Sequence, residues 1–593
     1  MDAHSRVAIA LPPTPASQPI GSRLDIPLAE IGLLAESLRT YLLLAAICCV
    51  PVLLFLPFMA TPFMRDEAFY ATVAQAMRHY GAMPYAYGFD NKPPMIFYWY
   101  YFSFGLFGEN VWAPRLMAAL LLSFSCILMY VQARVMFSQG WGLVAALFFG
   151  LSMGIGKFEI DANTEYFLIP FMLLALVSFT LGQNHGEWYW HALCGAACAV
   201  SIMTKQTAVF CPLVFVAFAL YPLAKRRSLR GCSEVWRGLA LMCAGGAAGL
   251  AVVLLPFAVT GNLGEFYRGA VVYAQQYSAG LTLSPDISLA SLQQLITAVP
   301  WALLGEFSRS AVFPTAPVPL TLYHDISLIF GLAALQPLLA AGPWTFLSAI
   351  GALRILRRPS QWNVLLVFWL LAAGAGIVVA GRFYSHYFVI LLPMLALLSV
   401  PAFQWLKANW WRSKAGFFIL ALVPLVSIWP VITNASIYLQ PTLVDRHLAE
   451  YPGNPMAVWE SQSEDVGHWI ASITRPGEKI YEFGFMPGVY FYSGRQSPTQ
   501  YIFKHPFAID ESYARDAVSQ MDTDKPVLIL DSAAYETDGE FAYHGKTMLR
   551  FMQDNYLEMG KYYFGDLWVL KGWQPAKPID EALHSPSEIT LPQ

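Results

Sequence analysis

Apolar runs about as long as a bilayer is thick recur along this chain from Leu42 to Ser436. A helix needs about 20 apolar residues to cover a hydrocarbon core of about 30 Å. Eleven runs meet that description, at about 40–60, 113–134, 141–156, 165–182, 191–204, 206–223, 238–259, 327–352, 362–380, 386–404 and 415–436. With 56% hydrophobic residues and only 13% charged ones, so much apolar surface exceeds what one water-soluble core encloses. The expected fold is an α-helical polytopic membrane protein.

Basic residues orient it, because cytoplasmic loops retain Lys and Arg. Lys225-Arg226-Arg227 with Arg230 and Arg237, Arg354 with Arg357-Arg358, and Lys407 with Arg412 and Lys414 all fall on one face of the alternating spans. Residues 1–38 join them as a cytoplasmic tail. They carry no cationic stretch leading into a short apolar run and a cleavage site, so the first span reads as an uncleaved anchor. An odd number of spans then places the loop 61–112 and everything after about residue 437 on the exoplasmic side, periplasmic in a bacterium. The eight cysteines lie in spans or in the cytoplasmic loop, which leaves the tail 437–593 without disulfides. A net charge of −3 with no long basic stripe argues against a nucleic-acid partner.

Two exoplasmic segments interrupt the membrane domain 39–436. In 61–112, Phe69, Val73, Ala76, Met77 and Tyr80 recur at helical spacing and suit an interfacial helix. After Lys92-Pro93-Pro94, the run Phe97 to Phe104 reads as an aromatic belt at headgroup level. The segment 260–326 reads as a further interfacial helix followed by a loop. In 437–593, short apolar runs such as 479–483 and 527–530 alternate with helical patterns, which predicts a small α/β domain.

Ionisable residues cluster at the exoplasmic ends of the spans: Asp66 and Glu67, Lys92, Asp161 and Glu165, Lys205, and Arg382 with His386 and Tyr387. If the spans bundle, these carboxylates and cations meet in one cavity at the outer leaflet. Such a cavity suits a lipid-linked sugar phosphate, whose leaving phosphate needs cations and whose acceptor needs a base. A secondary transporter would instead place charges near the bilayer midplane and show a halved repeat. A ligase acting on lipid-linked glycans is the other alternative. Asp66 and Asp161 also have a purely structural reading, as caps of the helices they precede.

The words Arg65-Asp66-Glu67-Ala68-Phe69-Tyr70-Ala71, Asn91-Lys92-Pro93-Pro94, Asp161-Ala162-Asn163-Thr164-Glu165, Thr204-Lys205-Gln206 and Gly381 to Phe388 occur in that order. Together they resemble the C-type (GT-C) glycosyltransferases of the protein O-mannosyltransferase and lipid A aminoarabinose transferase superfamily, over about residues 40–410. The likeness is greatest to the bacterial galacturonosyl- and mannosyltransferase-like branch, whose tail domain Phe483 to Arg495 also resembles. The resemblance implies an inverting hexosyl or pentosyl transferase with a polyprenyl-phosphate sugar donor. Asp66 is then the catalytic base and Asp161 a second acidic catalytic residue. Lys92 and Lys205 approach the donor phosphate, and Glu67, Tyr70, Glu165, Arg382, His386, Tyr387 and Arg495 are expected to bind substrate. Lipid A, a glycan, a glycolipid or a protein could be the acceptor. No cofactor is called for, and no ligand cluster indicates a metal. Gln206 departs from relatives, where a small residue often follows the lysine.

Overall fold

The computed structural model describes residues 38–154, 160–226, 233–279, 343–357, 359–380, 385–410, 435–451, 455–533, 535, 543 and 545–579. Helices dominate the first two thirds: α1 (Leu38–Phe55), α2 (Arg65–Tyr80), α3 (Met95–Phe107), α4 (Trp112–Met136), α5 (Gln139–Ser152), α6 (Thr164–His185), α7 (Trp188–Thr204), α8 (Phe210–Arg226), α9 (Ser233–Val259), α10 (Pro343–Arg357), α11 (Gln361–Ala380) and α12 (Leu392–Trp410). Five described stretches are long and apolar enough to cross a membrane: Leu38–Phe58, Trp112–Met136, Thr164–His185, Ser233–Val259 and His386–Asn409. Helices lie at nine of the eleven expected spans; of the other two, 327–352 is described only from residue 343, where it is helical, and 415–436 falls almost wholly outside the described residues. The protein is therefore a helical membrane protein.

Without a hydrophobic drive between helices in lipid, close backbone approach supplies much of their adhesion. The α7–α9 contact shows how. A Cβ added at Gly195 would stand 1.9 Å from the Met242 carbonyl oxygen, and one at Gly245 would stand 1.9 Å from that of Ala192. Neither position has room for a side chain, so the two backbones touch. At the centre, α6 is covered on nearly every side: 89% of its apolar window is buried.

The first loop differs from the expected interfacial layer. Phe69, Val73 and Ala76 of α2 are buried by protein, not laid on lipid. Thr72 donates its hydroxyl to the Pro487 carbonyl at 2.9 Å, and the Gln75 amide donates to that of Phe491 at 3.3 Å, so the tail covers this helix. The aromatic run is also helical, and α3 turns Phe97, Tyr98, Tyr100 and Phe104 inward. Trp99 stacks on Phe167 and Phe171 of α6, with ring centroids 6.0 and 5.3 Å apart. A run with an aromatic at almost every position must place several on the protein side once it coils. Only part of it, such as the half-exposed Phe102, is left to form a belt.

The tail forms the expected small α/β unit. After α13 (Pro455–Ile473) come β1 (Ile480–Phe483), α14 (Gly488–Ser493), α15 (Glu511–Thr523), β2 (Leu528–Asp531), α16 (Lys546–Asn555), β3 (Tyr556–Tyr562) and β4 (Gly565–Leu570). The strand order is β1-β2-β4-β3. Parallel strands need a crossover, here the helices between β1 and β2, which pair Ile480 with Leu528. The other pairings are antiparallel, and β3 carries an irregularity between Glu558 and Gly560.

Candidate active site

The site starts at the first turn of α2. Met64 caps this helix: its sulfur accepts the Asp66 N–H at 3.3 Å, while the Glu67 carboxylate accepts the Met64 N–H at 3.1 Å. Capping is thus performed by other groups, and Asp66, with 24% of its side chain exposed, keeps its carboxylate for the cleft. The Lys92 ammonium lies 3.8 Å from Asp66 Oδ1 and 3.7 Å from Asp90 Oδ2, above the Tyr70 ring at 5.3 Å. Burial pushes the Asp66 carboxyl up, but Lys92, His386 and Arg65 outweigh it and hold the group below its ordinary value of 3.8. Asp90 goes the other way. Burial, reinforced by the charge of Asp66, overcomes Lys92 and raises it. One cation therefore stands between two carboxylates whose acidities are pushed apart.

The second half comes from α6, α7 and the turn before α12. Asn163 caps α6, accepting the Thr164 N–H at 2.8 Å, and its side chain also receives the Tyr70 hydroxyl at 3.3 Å. Asp161 is buried two residues earlier, its Oδ1 accepting the Asn163 N–H at 3.2 Å, so it shapes the approach to α6 without capping it. Glu165 in the first turn forms a buried ion pair with Lys205. Lys205 ends α7 in an extended conformation (φ −152°, ψ 126°) that throws the chain into a 3-10 turn at Gln206–Val209. Its ammonium stands 3.4 Å from the centre of the Tyr387 ring. The His386 ring lies 4.9 Å from that of Tyr387 and is within electrostatic reach of both Asp66 and Glu165. Glu165, Lys205, Thr207, Ile377, Tyr387 and Ile390 line a shallow, closely packed crevice here. Lys205 in turn feels the charges of Lys92 and Asp66. The two halves adjoin, brought together from distant stretches of chain.

Three expected ligands stand elsewhere or do other work. Glu67 is 0% exposed and its carboxylate is saturated: it accepts Arg115 Nε at 2.9 Å, Arg115 Nη2, the Ala162 N–H at 2.8 Å and the Met64 N–H. With four donors filling its lone pairs, it has none left for a substrate. Tyr70 is fully buried and serves as the floor under Lys92. Arg495 is engaged by its own domain, donating to the Thr474 hydroxyl at 2.9 Å and to the carbonyls of Ala471, Thr474 and Ser493. It ties down the end of α13. Arg495→Ala should therefore lower the melting temperature of the detergent-solubilised protein. Arg382 lies outside the described residues.

The tail reaches the site by another route. Glu460 of α13 accepts both the backbone N–H and Nε of Arg65, at 3.2 and 3.1 Å, and meets His447 Nε2 at 2.9 Å on its other oxygen. This fixes the residue next to Asp66. Asp90, Glu460 and Tyr85 are contributors that the sequence reading does not single out. Asp90 carried a readable signal, an acid two residues before Lys92 in the same loop. Nothing local marked Glu460, which is 395 residues from Arg65.

Among the described residues, no group of three His, Cys, Asp or Glu side chains is placed to hold a metal ion. Residues 91–255 match the dolichyl-phosphate-mannose-protein mannosyltransferase family. No curated protein matches the chain. Among solved structures, ArnT from Cupriavidus metallidurans bound to undecaprenyl phosphate aligns with a TM-score of 0.52 at 15% identity, over 90% of this chain and 98% of that one. The oligosaccharyltransferase AglB from Archaeoglobus fulgidus, in complex with an inhibitory peptide and a dolichol-phosphate, aligns with a TM-score of 0.50 at 13% identity, over 92% of this chain and 75% of that one. The same enzyme tethered to an acceptor peptide gives 0.50 at 15%, over 90% and 74%. The chain has the fold of the C-type membrane glycosyltransferases, and its residues 91–255 carry the mannosyltransferase-family pattern.

Proposed function

We propose that the chain transfers a hexosyl or pentosyl group from a polyprenyl-phosphate donor to an acceptor on the exoplasmic face, inverting the anomeric centre. The observation that supports this is the pairing of Asp66 with Lys92 and of Glu165 with Lys205, each within electrostatic reach of the other pair and of His386. The arrangement can do three things. Lys92 and Lys205 neutralise the phosphate as it departs with the bonding electron pair. Asp66 is ionised and takes the proton of the acceptor hydroxyl or amine as that atom bonds to the anomeric carbon opposite the phosphate. Asp161, buried just before α6, is assigned the role of second acidic residue, while Tyr387 packs against Lys205.

The undecaprenyl and dolichol phosphates bound by the two solved relatives support this choice of donor class. A glycan, a glycolipid, lipid A or a protein would serve as acceptor. The donor reading is tested on Lys205. Because Lys205→Ala leaves Glu165 buried without its partner, the informative variant is Lys205→Ala with Glu165→Gln. It should bind undecaprenyl phosphate about 10–100-fold more weakly, the usual worth of a charge-assisted contact. Unchanged affinity would overturn the assignment.

A further inference from the structure

Lys92 and Lys205 sit on separate elements, the first loop and the end of α7, and their like charges drive them apart. One side chain joins the two elements next to both lysines. The Gln206 amide, immediately after Lys205, donates to the carbonyl of Asn91, immediately before Lys92. We propose that Gln206 is a positioning residue that sets the separation of the two ammonium groups, so that both close on a single phosphate. This rests on the proposed function.

Three further contacts make the strap rigid at both ends. On the loop side, the Tyr85 hydroxyl donates to the Lys92 carbonyl at 2.7 Å, so consecutive carbonyls on either side of the Asn91–Lys92 link are both held. Tyr85 itself adopts φ 71°, a conformation a non-glycine residue keeps only where its surroundings demand it. Asp90 accepts the Asn91 N–H at 2.8 Å and curls the loop towards the turn, and Pro93 and Pro94 stiffen the chain on the far side of Lys92. At the other end, the turn that carries Gln206 is pressed onto α11. A Cβ at Gly376 would stand 2.7 Å from the Thr207 carbonyl oxygen, a closeness that only glycine permits. Neither lysine's backbone can then drift without breaking the Gln206–Asn91 bond.

The length of the Gln206 side chain thus has a physical use. A small side chain would not span to Asn91. The strap converts two independent cations into a pair of fixed spacing, and ordering before binding removes part of the entropic cost of gripping the lipid phosphate.

The test uses the full chain in detergent with undecaprenyl phosphate as the probe. Gln206→Ala and Gln206→Met should each weaken binding about tenfold, the order of one lost hydrogen bond in a closed site. The methionine variant keeps the length of the side chain and removes only the amide. In a double-mutant cycle, Lys92→Ala and the paired change Lys205→Ala with Glu165→Gln should be strongly non-additive in the wild-type background and nearly additive with Gln206→Met, a change that a merely structural role would not produce. Wild-type affinity in Gln206→Met, or an unchanged coupling between the lysines, overturns the proposal. If Gln206→Met is neutral while loss of Lys205 still weakens binding, the strap fails and the phosphate assignment stands. If loss of Lys205 is neutral too, the reading of the site fails with it.

Discussion

Asp66→Asn should lower sugar transfer by about 10²–10⁴-fold, the range spanned by a positioned general base. It should leave undecaprenyl phosphate binding at least as tight as in the wild type. The amide has the size of the carboxylate and keeps the first turn of α2, which Met64 caps and Glu460 anchors through Arg65. What it loses is the proton acceptor and the negative charge 3.8 Å from Lys92. That ammonium, released from one of its two carboxylates, is freer to meet a phosphate. The pH profile carries a second signature. The Asp66 carboxyl is held below 3.8, so it is ionised throughout the mildly acidic range. As far as Asp66 governs it, the acid limb of transfer should fall below 3.8, and the rate should be flat above that limb up to neutrality. Mass spectrometry of envelope glycans and glycolipids, in cells whose only copy is the variant, reads the transfer. A modified product at the wild-type level would remove Asp66 as the base.

The membrane architecture was legible because hydropathy is a local property: a run of apolar residues declares its length without any knowledge of its neighbours. The α/β tail was legible for a similar reason, since β1 and β2 are short apolar runs bounded by turn residues. The expected rim of charged residues rests on the logic of topology, which places alternate loops on one side. What the sequence did not disclose was which charges point into the cleft and which are consumed by the fold. Asp66 and Glu67 are adjacent and chemically alike, yet a helix turns them about 100° apart. One faces Lys92 and the other is buried against Arg115. Arg495 has the same ambiguity, resolved only by the carbonyls at the end of α13. Gln206 stood out in sequence as a departure from relatives, but its partner Asn91 is 115 residues away. The aromatic run from Phe97 misled because composition suggests a belt, while helical geometry and the proximity of α6 decide which rings meet lipid.

The contrast between Asp66 and its neighbour yields the second large expected effect. Glu67→Ala should destabilise the whole protein, lowering its melting temperature in detergent by at least about 5 °C, because it leaves the Arg115 guanidinium buried without a counter-charge, a loss of about 3–5 kcal/mol. Arg115 is only 2% exposed and also donates to the carbonyls of Phe58, Thr61 and Pro62. Together with Glu67 it nails the end of the first span to the start of α2. Glu67 also accepts the Ala162 N–H, so the same carboxylate holds the strand of chain that carries Asp161. Glu67→Ala is therefore expected to lose stability and transfer together, whereas Asp66→Asn loses transfer alone. The double variant Glu67→Gln with Arg115→Met removes both charges from the interior and should recover part of the lost melting temperature, since a buried pair replaced by neutral groups of similar volume is far less costly than half a pair. If Glu67→Ala instead melts with the wild type and fails only in transfer, the carboxylate belongs to the chemistry after all, and its saturation by Arg115 and the two backbone N–H groups is not what it contributes.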